Sequence, residues 1–151
     1  MAYDDGIIHF GANALINSCC NFGCQKKIVI GDNAVFAAGS CVYDTNFHYL
    51  YNFKTRSVKD ICSPVRIGDN VWIGTNCYIS KGITIPSGCT LAANAVISRP
   101  FNDEISENSI IAGHPAKVIS TGYTMIRGSM EWELMQHFKN TSEKEIKIDY
   151  S

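Results

Sequence analysis

Counting every sixth residue along this chain picks out a hydrophobic column. It runs Ile30, Phe36, Val42 and resumes after a gap as Ile67, Ile73, Ile79, Ile85, Leu91, Ile97. All nine positions are apolar and six are Ile. With apolar residues at 46% of the chain, nine random hits arise roughly once in a thousand, or about once in a hundred after allowing for the choice of register. The neighbouring columns keep the same period. One residue later stand Gly31, Ala37, Gly68, Gly74, Ser80, Ala92 and Ser98. Three residues later stand Asn33, Gly39, Asn70, Asn76, Gly82, Gly88 and Asn94. Four residues later most side chains are small: Ala34, Ser40, Val71, Cys77, Cys89 and Ala95.

Each column has a physical reading. Asn and Gly tolerate positive φ best, so their column marks a turn. β-branched Ile suits short strands. Three strands of period six complete a coil of about 18 residues, and coils stack at the strand spacing of about 4.8 Å. Ile then points inward, and small residues fill what a narrow prism leaves. A β-sandwich shares the alternation, but it turns only every 8–12 residues or so. The expected fold class is therefore all-β, a parallel β-helix solenoid. A weaker trace upstream, Phe10, Ile16, Phe22, Ile28, slips by two to Ile30. That slip predicts a bulge or corner adjustment near Gln25-Lys26-Lys27, as suits an irregular terminal coil.

Two stretches leave the period. Residues 43–66 are too long for a turn and are rich in Tyr and Phe, and long ordered loops on rigid scaffolds are usually functional. They contain Asn46 and His48. After Ile119 the repeat stops, and Met130–Phe138 predicts a short helix with a stripe of Trp132, Met135 and Phe138. Such a helix would block the open end of the solenoid against edge pairing. The expected organisation is one β-helix domain over residues 1–120, with loop 43–66, and a helical or extended tail over 121–151.

Composition narrows the class. The chain has 151 residues, 18% charged, with a net charge of −1, which gives no electrostatic footprint for nucleic acid or a membrane surface. No apolar run is long enough to span a bilayer. Seven cysteines are an odd number, and no leader segment opens the chain, so free thiols in a reducing cytoplasm are expected.

The segments IGDNAVFAAGSCV (Ile30–Val42), IGDNVWIGTNCYISKGITIPSGCTLAANAVI (Ile67–Ile97) and IIAGHPAKVI (Ile110–Ile119) resemble the hexapeptide-repeat acyltransferases. The similarity is to the galactoside and maltose O-acetyltransferase group and covers about residues 10–120. It implies a left-handed parallel β-helix, a homotrimer with sites between subunits, and acetyl-CoA as donor substrate, with no metal. It implies His48 as catalytic base, with Asn17 beside it. Thr75 and Ala93 match pantetheine-contacting positions, and Ser98 and Arg99 match a Thr-Lys pair near the nucleotide. Lys117 is a cation able to reach phosphate. Trp72 and Asn46 are the substrate-proximal candidates. The chain departs from that group at Leu15, where a Tyr stands, and in a spacing from Ile30 to His48 one residue longer. His114, before Pro115, reads as a structural turn.

The chemistry needs one general base. An imidazole, with an ordinary pKa of about 6.5, can accept a hydroxyl proton as the oxygen attacks a thioester. The expected activity is O-acetylation of a saccharide-type acceptor, such as a surface polysaccharide, without an acyl-enzyme. His48 would serve equally for N-acetylation of a nucleotide-linked amino sugar. Two further readings are a non-catalytic solenoid and a metalloenzyme of the carbonic anhydrase type. The latter needs three His ligands, and of four His in the chain, His9 and His137 lie outside the clear coils.

Overall fold

The computed structural model describes residues 5–98 and 105–150. The period of six becomes a three-faced prism. The first coil holds β1 (Ile7–Phe10), β2 (Leu15–Ile16) and β3 (Asn21–Gly23). The second holds β4 (Lys27–Ile30), β5 (Val35–Phe36) and β6 (Cys41–Tyr43). A hairpin of β7 (Tyr51–Asn52) and β8 (Ser57–Val58) interrupts it. The third coil holds β9 (Val65–Ile67), β10 (Trp72–Ile73) and β11 (Tyr78–Ile79). The fourth holds β12 (Thr84–Ile85), β13 (Thr90–Leu91) and β14 (Val96–Ile97). β15 (Ser109–Gly113) opens a fifth, and β16 (Ala116–Thr121) folds back on it.

Strands stack coil on coil into three sheets. The first face is β1-β4-β9-β12, the second runs from β2 through β5, β10, β13 and β15 to β16, and the third is β3-β6-β11-β14. Neighbours are parallel except at β15-β16 and β7-β8. The register places column residues over one another: Phe10, Ile30, Ile67 and Ile85 on one face, and Phe22, Val42, Ile79 and Ile97 on another. All nine column residues are buried, as are Ala34, Ser40, Val71, Cys77, Cys89 and Ala95. This is a β-solenoid of the hexapeptide-repeat kind.

The seven Asn and Gly turn residues all have positive φ, between 52° and 77°. Asn13 and Asn108 extend the column, and Cys19 takes the same conformation in the first coil. Gly39 shows why the coil stack limits this position. A Cβ there would strike Oδ1 of Asn76 in the next coil, at a φ of +77° that a side chain already disfavours.

The slip at Ile28 has a structural cause. Strands of the first face carry two inward residues rather than one: Ile28 with Ile30, Val65 with Ile67, and Ile83 with Ile85 are all buried. Ile28 pairs with Ile8 below and Val65 above, so it is an earlier inward position of the same strand. The corner just before it, Gln25 to Lys27, wraps around a single buried carboxylate described below.

The tail takes a different course from the one expected. β16 itself covers the last edge of the second face. The chain then descends one corner of the prism along its column of Asn turns. Tyr123 N donates to the Asn108 carbonyl at 2.9 Å, and Asn70 Nδ2 donates to Thr124 Oγ1 at 3.0 Å. Arg127 donates to the Asn33 and Asn13 carbonyls at 3.1 and 3.3 Å. The helix α1 (Ser129–Asn140) therefore begins beside the first coil and not over the last. It buries no residue, and Trp132 is 61% exposed. No helix among the described residues is long and apolar enough to cross a membrane.

Candidate active site

Asp44 roots the long loop. It directly follows β6 and is fully buried. Its Oδ2 accepts the backbone N–H of Lys26 and of Lys27 at 2.7 Å each, and Oδ1 accepts that of Gln25 at 2.8 Å. A buried carboxylate is tolerated only with such partners. Next to it, Thr45 donates to Gln25 Oε1 at 2.7 Å, and Cys62 Sγ donates to the same oxygen at 2.9 Å. Thr45 and Cys62 also form a bridge that draws the loop's two ends together.

His48 follows at a tight turn. Its N–H donates to the Asn46 carbonyl at 2.8 Å, across Phe47 at φ 63°. A three-residue turn with positive φ on an aromatic residue is strained and persists only when its surroundings impose it. Here they do. The Phe47 ring sits edge-on to Tyr43 at 5.3 Å, and Tyr43 in turn meets Tyr78 at 5.7 Å. Phe47 N also donates to Thr45 Oγ1 at 3.0 Å. The backbone carrying the imidazole is thus fixed from below while the ring stays exposed.

Beside His48 lies an open groove of about 540 Å³. Asn46, Tyr51, Lys59 and Asp60 line it from the loop, and Lys81 lines it from the turn after β11. The hairpin tip, Phe53 to Arg56, is exposed, with Phe53 at 87%. Lys26 bridges to Asp60, and Lys81 donates to the Asp60 carbonyl at 2.8 Å, so the hairpin is tied to the solenoid wall. The volume suits a sugar-sized ligand.

The prism distributes the candidate residues over separate edges. Asn46, His48 and Ser98 belong to the edge between the third and first faces. Asn17, Thr75 and Ala93 belong to the edge between the second and third. Asn17 Nδ2 donates to the Phe36 carbonyl at 2.9 Å, and the Thr75 carbonyl accepts from Asn94 N at 2.8 Å. Trp72 projects outward from the second face between Val35 and Thr90. Lys117 is exposed on β16. Arg99 lies outside the described residues. One chain brings Asn46 and His48 into a groove together and leaves Asn17, Thr75 and Ala93 on another edge. Lys59, Lys81 and the burial of Asp44 went unread in the sequence. Only their position in or beside the repeat break could have flagged them.

Among the described residues no three His, Cys, Asp or Glu side chains cluster as a metal-binding set. All seven cysteines are free thiols.

A prism of hexapeptide coils with one inserted, His-bearing loop defines the class of the hexapeptide-repeat proteins. Residues 64–99 match the family model described as the hexapeptide repeat of succinyl-transferase. A Schizosaccharomyces pombe protein named as an acetyltransferase is 35% identical over 121 residues, covering 79% of this chain and 56% of that one. Among solved structures, a maltose O-acetyltransferase from Clostridium difficile 630 is 33% identical with a TM-score of 0.62, covering 76% of this chain and 58% of that chain. A hexapeptide-repeat-containing acetyltransferase from Vibrio cholerae, solved with acetyl coenzyme A, is 27% identical with a TM-score of 0.64, covering 76% and 60%. The chain thus spans little more than half the length of these relatives. Its repeat and fold are those of the hexapeptide-repeat proteins, and it is similar to the acetyltransferases among them.

Proposed function

We propose that this chain transfers an acetyl group from acetyl-CoA to a hydroxyl of a saccharide-type acceptor. The observation that carries this reading is His48, held on a strained, rigidly rooted turn at the mouth of a sugar-sized groove. The imidazole takes the acceptor hydroxyl's proton as the oxygen attacks the thioester carbonyl. The C–S bond then breaks, the acetyl group passes to the acceptor oxygen, and His48 returns its proton to the CoA thiolate. Backbone N–H groups at the solenoid corners are the natural donors toward the oxyanion. No covalent intermediate on the protein is needed. Relatives named for acetyltransferase activity, one solved with acetyl coenzyme A, support the donor, and the maltose-acetylating neighbour supports a saccharide acceptor.

The separation of edges supports a homotrimer. His48 on one edge needs Asn17, Thr75 and Ala93 on another, and a neighbouring copy supplies that edge. Seven free thiols suit a reducing, cytoplasmic setting.

The test follows thiol release from acetyl-CoA over a panel of neutral, amino and acidic sugars, for wild type and His48→Ala. Loss of a general base lowers turnover by about 10²–10⁴-fold. Equal turnover in the two proteins refutes the mechanism.

A further inference from the structure

The groove beside His48 carries an uneven charge. The whole chain has a net charge of −1, yet loop 43–66 holds Lys54, Arg56, Lys59 and Arg66 against two carboxylates, Asp60 and the buried Asp44. Two cations line the groove together with His48: Lys59 from the loop and Lys81 from the solenoid. Asp60 lines it too, but its carboxylate is engaged. Lys26 Nζ donates to Oδ2 at 2.5 Å, and the Cys62 N–H donates to Oδ1 at 2.9 Å. The Lys26 contact holds the Asp60 carboxyl below the usual carboxylate range, so the two form a neutral pair.

Lys81 is half-buried and oriented. Among the described residues its ammonium donates once, to the Asp60 carbonyl at 2.8 Å, and an ammonium has three N–H groups to give. Lys59 makes no ion pair among the described residues. Around these cations stand Tyr51, which offers an apolar face for a sugar ring, and Asn46, which offers a polar head. Among the described residues neither lysine has an ion-pair partner, and two such cations lining one groove with a base are poorly matched to a neutral acceptor. They match one that carries a carboxylate.

We propose that the groove selects an acidic saccharide of the uronic type. Lys59 and Lys81 hold its carboxylate while a ring hydroxyl faces His48. The proposal rests on the acetyl-transfer reading and names its acceptor class. Both lysines are specificity residues and neither moves a proton in the reaction.

The experiment compares p-nitrophenyl β-glucuronide with p-nitrophenyl β-glucoside, which differ only at C6, a carboxylate in the first and a CH2OH group in the second, at fixed acetyl-CoA. The expected result is a kcat/KM at least about tenfold higher for the glucuronide, carried by KM, as a charge-assisted contact gives. The preference should shrink as salt rises. Lys59→Met, at an exposed position outside the core, should remove most of it, and Lys59→Arg should keep it. Lys81→Met should do the same, with circular dichroism reporting whether the hairpin stays folded. The KM for acetyl-CoA with the glucoside should not move in either variant. A shift there assigns the lysines to CoA phosphates and overturns the proposal. So does a glucuronide turned over no better than the glucoside, including no turnover of either. In that event, His48-dependent thiol release with another panel sugar shows that the acetyl-transfer reading itself stands.

Discussion

Removing one oxygen from Asp44 tests the account of how the solenoid supports its loop. In Asp44→Asn, one carboxylate oxygen becomes an NH2 group. The native carboxylate accepts three backbone N–H groups, two on Oδ2 and one on Oδ1, in a fully buried corner. An amide has one acceptor oxygen. In the better orientation it keeps Lys26 and Lys27 and turns its NH2 toward the Gln25 N–H, donor against donor. One charge-assisted bond is lost, at about 1.5–3 kcal/mol, and the two that survive fall to the range of neutral bonds, about 0.5–1.5 kcal/mol each. The total is at least about 3 kcal/mol. For a chain of this size that lowers Tm by about 6–12 °C, measured by circular dichroism at fixed protein concentration. Asp44→Ala strands all three donors and should fall further. Amide exchange at Gln25, Lys26 and Lys27 should quicken in both variants. Turnover should fall as well, because Asp44 stands four residues before His48. A Tm shift under about 2 °C for Asp44→Asn would refute the assignment of this carboxylate as the keystone of the corner.

Other outcomes follow from the same geometry. Mixing and co-refolding His48→Ala with Asn17→Ala should restore thiol release above either variant alone, because a mixed assembly contains edges where both residues are intact. No recovery in such a mixture refutes a site shared between copies. Burial, and then the neighbouring Asp44 carboxylate, push the Cys24 thiol up from 9.0 to about 11, and burial raises Cys77 and Cys89 too. The folded protein therefore keeps protons that the unfolded chain releases between about pH 9 and 11, and stability falls as pH rises through that window. The urea midpoint should drop from about pH 8.5 to 10.5, and a flat midpoint refutes the burial of these thiols. Arg127→Ala removes two donors to the Asn13 and Asn33 carbonyls. Hydrogen exchange around those two turns should rise with little change at Asn94, and uniform exchange across all turns would contradict the strap.

The solenoid was legible because its order is local. Every inward residue repeats at a fixed step, so Ile30 through Ile97 mark the core and Asn33 through Asn94 mark the turns in the sequence itself. Even the slip at Ile28 was visible, although its cause, a second inward position on one face, was not. The loop could be located but not folded from the sequence. Phe47 takes positive φ under the hold of its near neighbours Tyr43 and Thr45, and Tyr43 is itself set against Tyr78 of the next coil, a contact between residues far apart in the chain. The tail was misjudged for a related reason. Asn70 and Arg127 bind carbonyl oxygens, which every residue has, so no side-chain pattern announces the path. The stripe of Trp132, Met135 and Phe138 did form a helix, but helical spacing does not say what the stripe faces.

β4 and β9 lie side by side in perfect register although the whole inserted segment separates them, with Ile30 beside Ile67. The stack reads the two coils as adjacent and is indifferent to what is spliced between them. The Thr45–Cys62 bridge closes the splice at its base, and lengthening a closed loop adds only about 0.6 kcal/mol per doubling. On the proposed reading of the groove, much of acceptor choice then resides in an exchangeable cassette, with Lys81 as the solenoid's own contribution. Natural variation can lengthen, recharge or replace it while the coils beneath His48 stay unaltered. Editing that one corner leaves every residue of the stacked core as it is.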